Sequence, residues 1–115
     1  VTGATGATGL DGVTGPTGSF VAMPMIYVAN ALSSNVSIID GNTNIILATV
    51  TVGSTPSGVD VNPMTNQVYV VNNASNNVTV IDGDTNTVLA TVTVGSGSFE
   101  VRVNPSTNQV FVANG

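Results

Sequence analysis

The chain has 115 residues, of which only 6% are charged, with one Arg, no Lys and a formal net charge of −5. Without a basic patch, binding to nucleic acid through phosphates is excluded, as is electrostatic docking to anionic lipid. The 42% hydrophobic content separates the chain from disordered sequences, and the absence of Cys and His removes disulfides, thiol nucleophiles, catalytic triads and the usual zinc sites. The sequence begins at Val1 rather than Met, and its repeat breaks off partway through a third copy at Gly115, so a piece of a longer protein is expected.

Residues 1–19 differ from everything that follows. Gly3, Gly6, Gly9, Gly12, Gly15 and Gly18 hold every third position. A collagen triple helix demands that pattern, because only Gly fits at its crowded axis. Thr closes four of the five triplets Gly-Ala-Thr (twice), Gly-Leu-Asp, Gly-Val-Thr and Gly-Pro-Thr. The segment resembles bacterial collagen-like surface proteins, in which Thr often stands where animal collagens carry hydroxyproline. The alternative is a flexible Gly/Thr-rich linker, which has no reason to keep phase over six glycines. Residues 20–25 form a junction, where Pro24 disfavours helix and suits entry into a strand.

From residue 26 onward, short β-branched runs alternate with Asn-, Asp- and Gly-rich turns. Strands are predicted over 26–29, 36–39, 45–52, 58–62, 67–71, 78–81, 88–94, 99–104 and 109–113. A repeat of 42 residues links them: Tyr27, Tyr69 and Phe111 correspond, as do Asp40 and Asp82, Gly53 and Gly95, and Asn62 and Asn104. Between 26–52 and 68–94, 17 of 27 aligned residues are identical, which establishes the repeat. A strand-only period of about forty residues is that of a propeller blade. Along 87–94, strict alternation places Val88, Ala90, Val92 and Val94 on one face and Leu89, Thr91 and Thr93 on the other. Apolar residues on both faces predict a sheet covered on both sides, as a blade between neighbouring blades is. A β-helix is the runner-up, with shorter and less hairpin-like periods. The fold class expected is therefore all-β, with a collagen-like Gly-X-Y segment ahead of a partial β-propeller. That propeller comprises one complete four-stranded antiparallel blade (58–95) and two partial blades (26–52 and 99–115).

The motifs IYVAN (26–30), VSIID (36–40), TNIILATVTVG (43–53) and PSGVDVNP (56–63) recur as VYVVN (68–72), VTVID (78–82), TNTVLATVTVG (85–95) and FEVRVNP (99–105). Over 26–115 the chain resembles the YVTN-type β-propeller repeats of bacterial and archaeal surface and periplasmic proteins. The resemblance implies a seven-bladed ring with four strands per blade. Where the repeat has a small residue in its inner strand, this chain has Asp60 and Arg102. Sharing a register, these two could line the channel and attract each other across blades, although a solvated pair is the simpler reading.

One motif carries a metal pattern. Asp82, Asp84 and Asn86 match the opening D-x-D-x-N of a calcium loop. Thr87 replaces the Gly at loop position six, and Thr93 replaces the Glu at position twelve. A hairpin turn held by Asx hydrogen bonds explains the motif and its first copy, Asp40 to Asn44, without a metal. Asp60 and Glu100, near the ends of inner strands, are read as structural or solvent-facing acids. The sequons at Asn35, Asn73 and Asn77 are expected by chance in so Asn- and Thr-rich a chain. No catalytic or cofactor-binding residue is assigned, and no cofactor is expected.

Two functions follow from these expectations. The first is a non-catalytic structural or adhesive protein of the bacterial cell or spore surface. Its collagen-like stalk, trimerised with two further copies, would present propeller heads to a protein or carbohydrate ligand. The second is part of an enzyme or ligand-binding periplasmic propeller whose active residues lie in other blades. Residues 26–115 alone are expected to be weakly stable and to associate through exposed edge strands.

Overall fold

The structure, a computed structural model, describes residues 24–115. The segment expected to be collagen-like, 1–19, and most of the expected junction therefore lie outside the described residues. Among the described residues nine strands follow one another: β1 Met25–Asn30, β2 Asn35–Asp40, β3 Ile45–Thr51, β4 Pro56–Asn62, β5 Gln67–Asn72, β6 Asn77–Asp82, β7 Thr87–Thr93, β8 Ser98–Asn104 and β9 Gln109–Asn114. They form three antiparallel sheets in meander order: β1-β2-β3, β4-β5-β6-β7 and β8-β9. The middle sheet is one complete four-stranded blade, and the others are partial blades. All nine predicted strands are present. No helix among the described residues is long and apolar enough to cross a membrane.

The turns explain the regularity. Each four-residue turn between strands of a sheet closes on a residue with positive φ: Ser34, Asn44, Asn66, Asn76, Asn86 and Asn108, all between 55° and 59°. Asn tolerates this left-handed region better than most side chains, so Asn at these positions selects the hairpin. The amides of Asn44, Asn66 and Asn86 donate to the carbonyls of Asp40, Asn62 and Asp82, four residues back, at 2.7–2.8 Å.

The middle blade is covered on both faces where its inner strands lie. Val68, Val70 and Ile81 pack against Val36, Ile38 and Val50 of the first sheet. On the opposite face, Tyr69, Val71 and Val78 form a second cluster with Val101 of the third sheet. In β5 this buries Val68, Tyr69, Val70 and Val71 in succession, whichever way each side chain points. Full burial of one such side chain stabilises by about 1.5–3 kcal/mol. Both faces of the middle blade are thus covered at β5 and β6, and not on the outer strand where the two-sided pattern of the sequence lies.

Three expectations need correction at the blade edges. Strand β7 is exposed along its whole length, including Val88, Leu89 and Val92. Its alternation also breaks: Val80 pairs with Ala90 but Ile81 pairs with Val88, leaving Leu89 as an unpaired bulge residue. Directly paired residues share a face, so Val88 and Ala90 lie on opposite faces rather than on one. The first sheet repeats the irregularity, with Leu47 skipped between Ala48 and Ile46. The inner strand also starts two residues earlier than predicted, at Pro56, because a bulge at Ser57 lets pairing resume between Pro56 and Asn72. Pro is tolerated as the first residue of a strand, where its missing N–H disrupts least.

Candidate functional site

The Asp82–Asn86 motif is built as a turn. Asp82 Oδ1 accepts the amide of Asp84 at 2.9 Å, and Asp84 Oδ1 accepts Asn66 Nδ2 at 2.7 Å. Asn86 supplies the positive φ that closes the loop. Gly83 donates its amide to the carbonyl of Asn66 at 2.8 Å, and a Cβ on Gly83 would stand 2.5 Å from that oxygen. This glycine therefore serves the close approach of two neighbouring turns. The first copy is the same device: Asn42 donates to Asp40 Oδ1 at 2.8 Å, and Gly41 donates to the carbonyl of Pro24 at 2.7 Å. No group of three or more His, Cys, Asp or Glu able to hold a metal stands among the described residues.

The paired charges are partnered differently from the sequence expectation. Asp60 Oδ1 accepts the amide of Val61 at 2.9 Å, and its Oδ2 accepts the amide of Val103 in the next blade at 2.8 Å. Arg102 instead forms an exposed ion pair with Glu100 on its own strand. Asp60 and Arg102 do occupy equivalent positions, and each lies on the same face of its own sheet. Asp60 is therefore turned toward the third sheet, while Arg102 lies on that sheet's far face. Glu100 is the repeat equivalent of Gly58, not of Asp60.

Two asparagines, Asn62 and Asn72, are buried, which their place in an Asn-rich sequence does not indicate. Asn62 is fully buried, donates through Nδ2 to Asn108 Oδ1 of the next blade at 2.8 Å, and accepts the amide of Met64 at 2.9 Å. Asn72, also fully buried, donates to Asn77 Oδ1 and Thr79 Oγ1 at 2.8 Å each, and its Oδ1 has no partner among the described residues. Asn73 Nδ2 reaches the carbonyl of Ser98 at 2.7 Å. Recurrence at 42-residue spacing (Asn30, Asn72, Asn114) was the available signal. It was hidden because Asn is also the turn residue of this chain.

Two further features complete the picture. An open cleft of about 240 Å³ is lined by Thr51, Val52, Gly53, Asn77, Thr79, Val88 and Thr91, between the β3–β4 connection and the outer strands of the middle blade. Tyr27, on the face of the first sheet turned toward that blade, has its phenol pKa raised, first by burial and then by the charge of Asp84. Neither feature assembles a nucleophile with a base. The described residues form inter-blade joints and exposed rims.

Three sheets stacked face to face, each built from strands in meander order, are a segment of a β-propeller. The chain belongs to the YNCE-like beta-propeller family, whose model matches residues 4–115. Among solved structures it is similar to hydrazine synthase of Kuenenia stuttgartiensis, with TM-score 0.75 and 23% identity over 78% of this chain and 26% of that one. It is also similar to dihydro-heme d1 dehydrogenase NirN in complex with DHE, with TM-score 0.71 and 23% identity over 84% of this chain and 21% of that one. A functionally unknown protein from Desulfotomaculum acetoxidans DSM 771 has TM-score 0.67 and 18% identity, over 78% and 31% of the two chains. At such identities the likeness concerns the fold. The chain spans 21–31% of the length of these structures. No curated protein matches it.

Proposed function

We propose that the chain is part of a non-catalytic bacterial surface protein, in which a collagen-like stalk carries a propeller head of YVTN-type repeats. The observation that carries this reading is the unbroken glycine triplet from Gly3 to Gly18, placed directly ahead of the propeller strands. A triple-helical stalk brings three heads together, and three weak contacts to a repetitive protein or carbohydrate surface multiply into avidity. The head itself offers joints and exposed Asn-, Thr- and Ser-rich rims, which suit recognition by contact rather than chemistry.

The second reading is a segment of an enzyme or ligand-binding propeller. It is favoured by the likeness in fold to two solved proteins, a hydrazine synthase and a dihydro-heme d1 dehydrogenase. On that reading the reacting groups belong to other blades, and residues 24–115 serve as scaffold.

Labelling intact cells with an antibody against the chain tests the location. Surface signal without permeabilisation is expected, and signal only after permeabilisation sinks the surface reading. Circular dichroism and sedimentation of the full chain at low temperature test the stalk. A triple-helix signal with a three-chain mass is expected, whereas a monomer lacking that signal at all concentrations removes the stalk from the proposal.

A further inference from the structure

The joint between the middle blade and the third sheet depends on three inner-strand residues in β4. Ser57 donates its hydroxyl to the carbonyl of Phe99 at 3.4 Å. Gly58 lets that same carbonyl approach, since a Cβ there would stand 2.9 Å from the oxygen. Asp60 accepts the amide of Val103. Each uses a different property: a small donor, an absent side chain and a charged acceptor.

Moved forward by 42 residues, the same positions in β8 are Phe99, Glu100 and Arg102. Phe99 has no hydroxyl to donate. Glu100 carries the Cβ for which Gly58 leaves room, and backbone on the far side of such a contact cannot swing away as a flexible side chain would. Arg102 has five donors and no acceptor, so it cannot receive a backbone amide as Asp60 does. Its partner is Glu100, and the ion pair lies across the face that a next inner strand would need. Burying that pair under another strand would strip both charges of water. Only the Asn62-to-Asn108 bond has an equivalent donor at the open face, in Asn104.

We infer that the regular stacking of one blade on the next stops at the open face of the third sheet, and that Phe99, Glu100 and Arg102 are the residues that stop it. The propeller has a seam there, wider than the joint between the middle blade and the third sheet. This inference rests on the joint geometry and is independent of the surface-protein reading.

Two experiments test it. In the first, the chain is extended after Gly115 by a second copy of residues 74–115, which completes the third blade and adds the two inner strands of a fourth. With the native face, amides of the added copy of 98–104 are expected to exchange at least about tenfold faster than those of β8 itself. With Phe99→Ser, Glu100→Gly and Arg102→Asp made in the first copy, their protection is expected to reach that of β8. Equal protection of the added strand on the native and the altered face overturns the inference. In the second experiment, Gly58→Glu and Asp60→Arg place the stopping residues in the existing joint of the 115-residue chain. Loss of β8 amide protection, alone or with the whole fold, is expected, and a joint with unchanged protection overturns the inference.

Discussion

The carboxylate of Asp60 accepts the backbone amide of Val103 at 2.8 Å, so a side chain of one blade completes the backbone hydrogen bonding of the next. Its other oxygen holds the amide of Val61 at 2.9 Å. Asp60→Ala leaves two amides without their acceptor and is expected to lower stability by about 1–3 kcal/mol. Asp60→Asn keeps one acceptor oxygen and should lose roughly half of that. Denaturant midpoints of the two variants check the order, and an alanine variant as stable as the native chain would remove the joint from the argument.

Gly83 is expected to be intolerant of any side chain. A Cβ would stand 2.5 Å from the carbonyl oxygen of Asn66, and the Gly83 amide donates to that same oxygen. Gly83→Ala should therefore destabilise by about 1–3 kcal/mol, the usual range for forced overpacking. An exposed glycine in an ordinary turn would show a change near zero or a gain. Thermal melting of the variant separates these outcomes.

Ile81 and Leu89 make a matched pair for testing coverage of the blade. Ile81 is fully buried against the first sheet, whereas Leu89 is the exposed bulge residue of β7. Ile81→Ala should cost about 2–5 kcal/mol, and Leu89→Ala should stay within about 0.5 kcal/mol. Similar losses at both positions would mean that β7 is covered in solution.

Calcium should leave the fold unchanged. Asp82 and Asp84 are engaged in turn hydrogen bonds, and a ligand that binds the folded state would raise its melting temperature. Melting with calcium and with a chelator is expected to coincide, and a calcium-dependent rise would restore the metal-loop reading of Asp82, Asp84 and Asn86.

Alkaline pH should weaken the fold through Tyr27. Its folded pKa lies above the ordinary tyrosine value of 10.0, chiefly because burial disfavours the phenolate and secondarily because of Asp84. The folded state then holds the phenolic proton more tightly than the unfolded state does. This contribution is fully present below pH about 10 and is lost as pH rises through the folded pKa. Phenolate absorbance should show a late step that Tyr27→Phe abolishes. A late step that survives Tyr27→Phe would show that Tyr27 is not its source.

The repeat, the nine strands, their hairpin turns and the division into one whole and two partial blades were all legible in the residues. These are local or periodic properties: β-branched runs extend the backbone, Asn at a positive-φ position closes a turn, and a 42-residue spacing shows that the unit recurs. Coverage on both faces was expected from the alternation along 87–94, yet the structure places it at Val68 to Val71 and leaves 87–94 exposed. The contacts that join the blades were not legible in the residues, because they depend on how the sheets stack. A bulge at Leu89 moves Val88 to the face opposite Ala90, and no alternation rule contains that slip. Asp60 bonds an amide 43 residues away rather than the arginine 42 residues away, because equivalent positions on successive blades face the same way round the ring and therefore never face each other. Asn62 and Asn72 look like turn residues in the sequence, and their burial is set by the neighbouring strands that enclose them.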